Sequence, residues 1–537
     1  MLEEIAVKKT RKRKIPNPYH QQTTLLNIPR LAFLSFILGI PILLIINKQA
    51  IFEILQEAKY PPSSRSLDSA ASKSSFTNDS DRNLKPMTFQ FPHESTPRTF
   101  QAYVQPDVAT FYNDPPGTRS VQKPYFNGVA GKFINLSPEH LSLYWDDGRD
   151  GQLIADMLPF EAVGTATFPV HKFFISLKHD PSEIVHRIHI QPGTNLYVYD
   201  AFEMGRASVS DLSDGELELY ILQRNNLLFA REYRDFTGRD WLSLYPKRQK
   251  AIYKMWNADY FGQQHWVTSS ETHFLLEPPE ELLGRMKPDE MHRDRMIFPD
   301  PRNLAEYRSQ DSKELNMTMT VLSCAPRVFE IKNFLSHAEV DHIVHMATGM
   351  KLAISTTSGS DGHDAKSDSK TRTSHNSWVH RSRSPIMDSI YGRAADLMQI
   401  DEALLRERNQ VEIPEISRKG SNAEEFQLVH YDKSEQYTAH HDFTYPNSKI
   451  DGQPARFVTL LLYLNEGMIG GDTTFPRWVN AKSGKKLAVK PEIGKAILFY
   501  DQLPDGNMDD LSQHAAEAVQ KGQKWLINLW TWDPFFR

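Results

Sequence analysis

The feature that most limits what this chain can become lies in its last third. There, short apolar runs follow one another between turn signals: RFVTLLLYLN, then GGDTTFP, then GKAILFYDQ, then HAAEAVQKGQKWLINLWTW. They read as successive strands of one sheet or barrel. Just ahead of them, EEFQLVHYDKSEQYTAHHDF alternates in places like a strand, and in a strand residues two apart project to the same face. His440 and Asp442 can therefore point together, while His441 points to the opposite side and reads as a packed or solvated histidine. Two ligands from adjacent same-face positions suit chelation of a metal. A third from elsewhere would complete a two-His-one-carboxylate triad, which leaves coordination positions open for O2 and a cosubstrate. His514 is taken as that third ligand.

Lys524 follows ten residues later, at the start of the apolar strand KWLINLW. A cation at the inner end of a barrel strand can form a charge-assisted bond to a carboxylate deep in a pocket. Composition agrees with metal chemistry that uses His and carboxylate. The single cysteine, Cys324, excludes an intrachain disulfide and any thiolate cluster. A net charge of -5 and a charged content of 24% provide no global basic field, so nucleic acid is not an expected partner.

Over about residues 318–537 the chain resembles the catalytic domain of prolyl 4-hydroxylases. The family pattern of Tyr, two residues, Gly-Gln, one residue, Tyr, two residues and then H-x-D is matched at Tyr431, Tyr437, His440 and Asp442. The Gly-Gln pair is replaced by Ser434-Glu435, a departure expected to alter the turn before the ligand strand. The resemblance implies a mainly β fold, a double-stranded β-helix or jelly roll with flanking helices. It also implies Fe(II) held by His440, Asp442 and His514, 2-oxoglutarate held by Lys524, and a pocket lined by Tyr437, Tyr463 and Thr459. L-ascorbate dependence is implied as well, though nothing in the residues shows it. Arg372-Thr373-Ser374 and Trp378 match an RTS-x-x-x-W element, and STTSGSDGHDAKSDSK before it reads as a mobile loop over a substrate groove. The expected activity is hydroxylation of peptidyl proline, with succinate and CO2 released. The alternatives are the same chemistry on lysyl or another substrate, or a barrel retained as a non-catalytic binding module.

The chain ahead of this domain divides further. Residues 31–47 contain the uncharged run LAFLSFILGIPILLII, preceded by a basic tail at 1–30 with Lys8, Lys9, Arg11, Lys12, Arg13 and Lys14. This reads as a transmembrane signal anchor, with a cleaved signal peptide and a buried helix as the other readings. The positive-inside bias makes it a type II single-pass protein with a luminal catalytic domain, in the endoplasmic reticulum or Golgi. Residues 48–126 read as a flexible luminal stalk, and sequons stand at Asn78, Asn135 and Asn316. Residues 127–205 read as a small β-sandwich, and 206–317 as a helical and irregular connector. INLSPEHLSLYWDDG followed by LPFEAVGTATFPVHKFFI resembles the β domain of the von Hippel–Lindau protein. That resemblance places Thr167, His171 and Phe173 at hydroxyproline-pocket positions.

Overall fold

A computed structural model describes residues 83–92, 94–106, 127–243, 253–270, 314–358, 365–366, 371–408, 412–413, 420–443, 455–479 and 485–533. The expected basic tail, anchor, Asn78 and most of the stalk lie outside the described residues. Among the described residues no helix is long and apolar enough to cross a membrane.

Part of the expected stalk forms a hairpin. Strands β1 (Leu84–Phe89) and β2 (Arg98–Tyr103) pair antiparallel. Their alternation buries Met87, Phe89, Phe100 and Ala102 against Phe229, Tyr233 and Trp241. The Phe100 ring lies 5.5 Å from Trp241 and the Phe89 ring 4.9 Å from Phe229. A hairpin of this length is marginal alone and needs such a partner, which the sequence around it did not reveal.

Seven strands follow: β3 (Val129–Leu136), β4 (Leu141–Trp145), β5 (Gln152–Met157), β6 (Ala162–Thr167), β7 (Lys172–Leu177), β8 (Ile184–His189) and β9 (Leu196–Asp200). A three-stranded sheet, β6-β3-β9, faces a four-stranded one, β5-β4-β7-β8. Phe133, Leu143, Met157, Phe173 and Ile175 fill the space between them. Asn135 is fully buried, and its Nδ2 donates to the carbonyls of Glu139, Met157 and Leu158. That sequon has no free amide for a glycan.

Helix α1 (Asp214–Thr237) begins in a capping box, Ser213 with Glu216, and ends at Gly238 with φ 75°. Of the remaining connector, residues 244–252 and 271–313 lie outside the described ones, and the described part is not helical. Residues 253–263 form no helix, and β10 (Gln264–Ser270) pairs with β11 (Glu314–Cys324), so the segment joins the catalytic sheet as an edge strand.

The catalytic domain continues with β12 (Arg327–Ile331), α2 (His337–Thr348), β13 (Ala353–Ile354), β14 (Thr357–Ser358), β15 (Ala365–Lys366), β16 (His375–Val379), α3 (Pro385–Met398), β17 (Phe426–Tyr431) and β18 (Tyr437–His440). It is completed by β19 (Arg456–Tyr463), β20 (Ile469–Gly470), β21 (Thr473–Phe475), β22 (Leu487–Val489), β23 (Ala496–Tyr500), β24 (His514–Ala516), β25 (Val519–Lys521) and β26 (Lys524–Trp532). Two short strands of the polar loop, β14 and β15, pair with each other; Ser355 ahead of them is buried, and residues 359–364 and 367–370 lie outside the described ones. A nine-stranded sheet runs β10-β11-β12-β23-β19-β26-β17-β16-β13, and a four-stranded one runs β18-β24-β21-β22.

Period-two alternation explains why the central strands are apolar throughout. Along β19, Leu460 and Leu462 join the core shared with Ile343, Ile390 and Tyr391 of the helices, while Leu461 and Tyr463 join the core with Phe475 and Val489 of the smaller sheet. The large sheet is thus covered on both faces, consistent with a jelly-roll oxygenase domain.

Candidate active site

His440 and His514 are cross-strand partners, the last residue of β18 against the first of β24. Their rings lie 4.4 Å apart. With Asp442, each offers a ligand atom, and these atoms all lie within 4.8 Å of one another. The local backbone fixes which nitrogen is available. His440 Nδ1 contacts the Thr438 carbonyl at 2.8 Å and His514 Nδ1 contacts the Ser512 carbonyl at 3.1 Å. A carbonyl can only accept, so both Nδ1 atoms carry the proton and both Nε2 lone pairs face Asp442. Those Nε2 atoms stand 3.6 Å from Asp442 Oδ1 and 3.5 Å from Oδ2, respectively. Desolvation holds His440 well below its ordinary pKa and lowers His514 too, so both rings are neutral donors. Burial alone would raise Asp442, but His514, His440 and Arg456 pull it below the usual carboxylate range.

Asp442 is itself oriented. Thr459 Oγ1 lies 2.8 Å and Trp530 Nε1 2.9 Å from its Oδ2. Two donors on Oδ2 leave Oδ1 with its lone pairs free for a cation. Thr459 Oγ1 also lies 3.1 Å from Asp501 Oδ2. A hydroxyl has one proton, so it cannot donate to both carboxyls. Burial, and then the charge of Asp442, push Asp501 well above its ordinary pKa. The proton therefore sits on Asp501, which donates to Thr459, which donates to Asp442. Behind Trp530, the Arg456 guanidinium stacks at 3.9 Å from the ring centroid and grips Glu424 at 2.7 and 3.1 Å.

The second half of the site is a buried cation. Lys524 is fully buried at the start of β26, and desolvation pushes its pKa down to about 7. Among the described residues its hydrogen-bond partner is Thr473 Oγ1 at 3.4 Å, and Thr473 in turn accepts from Tyr463 at 2.7 Å. The Lys524 ammonium stands 5.5 Å from the Tyr431 ring and 5.6 Å from the Tyr463 ring. Thr473 pairs with Ala516, two residues along β24 from His514. The cation and the triad are thus linked through adjacent strands, Lys524 by way of Thr473 on β21 and His514 on β24.

The expected lining residues divide between these two halves. Tyr463 belongs to the Lys524 end. Thr459 belongs to the metal end, where it serves Asp442. Tyr437 stacks on His440 with centroids 3.5 Å apart, and the Arg372 guanidinium caps its other face at 4.7 Å. Arg372 also bonds Ser374 at 3.3 Å and Gln427 at 3.1 Å. Trp378 is 45% exposed with its ring 6.1 Å from Trp530, so it forms an open aromatic rim beside the Asp442 support. Asp501, Thr473, Trp530 and Arg456 escaped the sequence reading. For Trp530 the signal was the alternation of β26, which puts it on the same face as Lys524.

Ser434, where the resemblance expects Gly, has φ 71°. The turn keeps the left-handed conformation despite the replacement, and Ser434 N donates to Val519 O at 2.7 Å.

In the sandwich, Thr167 and His171 do meet, with Oγ1 and Nδ1 3.2 Å apart. Phe173 departs from its expected place. It is buried in the sandwich core, 5.1 Å from the Phe133 ring, because β7 turns it inward; the rings beside His171 are Trp145 at 5.7 Å and Phe168 at 5.2 Å.

Comparison with known proteins gives a consistent picture. Residues 426–532 match the 2OG-Fe(II) oxygenase superfamily. The chain is 32% identical over 244 residues to probable prolyl 4-hydroxylase 3 of Arabidopsis thaliana, covering 43% of this chain and 77% of that one. It is 30% identical over 224 residues to probable prolyl 4-hydroxylase 8 of the same plant, covering 40% and 70%. Among solved structures it is similar to the viral collagen prolyl hydroxylase of Paramecium Bursaria Chlorella virus-1 in its 2OG complex. That similarity has 20% identity, 38% of this chain, 95% of the other and a TM-score of 0.28.

Proposed function

Because this chain belongs to the prolyl 4-hydroxylase family of Fe(II)- and 2-oxoglutarate-dependent oxygenases, we propose that it hydroxylates peptidyl proline to 4-hydroxyproline, using O2 and 2-oxoglutarate and releasing succinate and CO2. One observation carries the reading: a fully buried ammonium, Lys524, bonded to Thr473 on the strand that pairs with the His514 strand, lies beside a His440–Asp442–His514 donor set whose ligand atoms converge. The donor set fits Fe(II), since two neutral imidazoles and one carboxylate leave half of an octahedron open. When bound, the iron supplies the oxidation of the cosubstrate and of the prolyl C–H bond.

The residues of the chain bind, orient and exclude water. Lys524 and Thr473 take the distal carboxylate of 2-oxoglutarate, and the Tyr431 and Tyr463 rings keep solvent from that contact. Thr459 and Trp530 hold Asp442 with Oδ1 directed at the ligand cluster. The Arg372–Tyr437 stack holds the His440 ring from turning. L-ascorbate would serve as reductant. Trp378, beside the site and half exposed, supports a substrate strand crossing that rim.

Incubating the full chain with Fe(II), 2-oxoglutarate, ascorbate and proline-rich peptides, followed by mass spectrometry, tests the assignment. One oxygen atom should be added at proline and stoichiometric succinate released. Oxygen added at lysine instead would move the substrate class, and absence of iron-dependent succinate would leave a binding module.

The basic tail ahead of LAFLSFILGIPILLII supports a further proposal, a type II anchor with the enzyme domain in the lumen of the endoplasmic reticulum or Golgi. Protease digestion of sealed microsomes that removes the C-terminus would overturn it. In the sandwich, Val170 is 84% exposed at φ 81° beside His171, strain of a kind that persists where surrounding structure enforces it. This supports a second binding role for that corner, recognition of a hydroxylated prolyl ring through His171. Calorimetry with paired proline and hydroxyproline peptides tests it, and equal affinity would reduce the corner to scaffold.

A further inference from the structure

The loop that delivers His514 is held by the N-terminal half of the chain. Asp505 Oδ2 accepts from Tyr233 of α1 at 2.7 Å and from the Tyr103 amide of β2 at 2.9 Å. Asn507 Oδ1 accepts from the Leu242 amide at 2.8 Å, its Nδ2 donates to Asp240 O at 2.9 Å, and Ser243 Oγ donates to Gly506 O at 2.6 Å. All these groups are buried, where a misplaced partner is costly.

Asp510, four residues before His514, is where this grip meets the metal ligands. Its Oδ1 accepts from the Ala130 amide of β3 at 2.7 Å. Its Oδ2 lies 2.6 Å from Arg477, which also donates to its carbonyl at 2.7 Å. The same carbonyl contacts His441 Nε2 at 3.0 Å, with Oδ1 at 3.5 Å. His441 stands between the ligands His440 and Asp442 and points to the back of the ligand strand. One residue thus touches the sandwich, the back of the proximal ligand pair and the turn after β21, and it sits on the loop of the distal ligand.

We propose that Asp510 is a positioning residue through which docking of the N-terminal sandwich fixes the metal triad, so that metal binding and sandwich docking are energetically coupled. Such coupling is reciprocal: if docking favours metal, metal must favour docking by the same factor. The proposal rests on the triad being a metal site.

Two measurements on the full chain test it, with Mn(II) and 2-oxoglutarate under anaerobic conditions. In the wild type, loading should slow hydrogen exchange at the amides of Ala130, Leu242 and Ser243, far in sequence from every ligand. In Asp510→Asn, which keeps size and removes charge, Mn(II) affinity read by electron paramagnetic resonance should fall about ten- to hundred-fold, the scale of lost outer-shell support, and the exchange effect should vanish. Wild-type exchange that ignores loading, or an Asp510→Asn variant that binds Mn(II) normally, overturns the proposal. If Asp510→Asn fails to fold, the wild-type comparison alone decides. His514→Ala separates the premise from the coupling: Mn(II) binding that survives there refutes the triad itself.

Discussion

Burying Lys524 makes cosubstrate binding depend on pH in a direction that its surroundings dictate. The group is fully buried, and desolvation lowers its pKa from 10.5 to about 7. A ligand carboxylate needs the ammonium form and restores the pKa when it binds, so binding above pH 7 takes up a proton. With a midpoint near 7, the protonated fraction falls from about 0.9 at pH 6 to about 0.1 at pH 8, and affinity for 2-oxoglutarate should fall about ninefold. Other groups of the protein also titrate with pH, so the comparison must cancel them. Lys524→Met does so: it keeps the triad and the buried volume while removing the charge. The ratio of its Kd to that of the wild type, measured by calorimetry on the Mn(II) form, should be large at pH 6 and shrink about ninefold by pH 8. The same residue gives a stability signature. Between pH 7 and 10.5 the unfolded chain holds a proton that the folded chain has lost, so the wild type gains stability as pH rises through that window. Below pH 7 the buried charge costs on the order of 5 kcal/mol without ligand, from about 3.5 pKa units at 1.36 kcal/mol each. Lys524→Met should therefore stabilise the ligand-free protein at pH 6 and gain progressively less above pH 7. A Kd ratio that stays constant from pH 6 to pH 8 would refute the assignment of Lys524 as the carboxylate anchor.

Removing the hydroxyl that links Asp442 to Asp501, in Thr459→Val, should reduce Mn(II) affinity by about ten- to hundred-fold with the fold intact by near-ultraviolet dichroism; unchanged affinity would mean that Trp530 alone orients the carboxylate. Ser434→Gly should stabilise the protein in urea titration by about 0.5–1 kcal/mol. Relief of about 1–2 kcal/mol of left-handed strain is offset there by about 0.5–1 kcal/mol of glycine entropy, and a net loss would show that the Ser434 side chain contributes. Asn135→Ala should destabilise by about 1–3 kcal/mol, because the carbonyls of Glu139, Met157 and Leu158 lose their donor, the Met157 one in a fully buried place. It should leave glycosylation unchanged, and a mobility shift tied to that substitution would contradict its burial.

What the sequence disclosed depended on whether the constraint was local. His440 and Asp442 were legible because alternation within one strand places them together, and the same alternation turned His441 away from them. The longer strands β19, β23 and β26 were legible because they are largely apolar on both faces. The β1–β2 hairpin was missed because its stability comes from Phe229 and Tyr233 on a helix, and Trp241 just after it, more than a hundred residues away, and nothing in its own composition distinguishes it from a tether. The β10 edge strand escaped for a similar reason, since its hydrogen bonds go to β11 across a long intervening segment.

The supports of the site follow the same division. A metal ligand must face its neighbours at a fixed spacing, which a strand pattern encodes. A residue that holds a ligand from behind need only reach it in space. Thr459 could be placed by alternation but not given its role, because that role depends on Asp501, just past the end of the neighbouring strand β23. Asp510 had no pattern at all, since its partners come from β3, from the back of β18 and from the turn after β21. The amide of Ala130 is the extreme case: every residue except proline carries such a donor, so the side chain there encodes nothing about the bond, and only the docked fold reveals that it bears on the metal site.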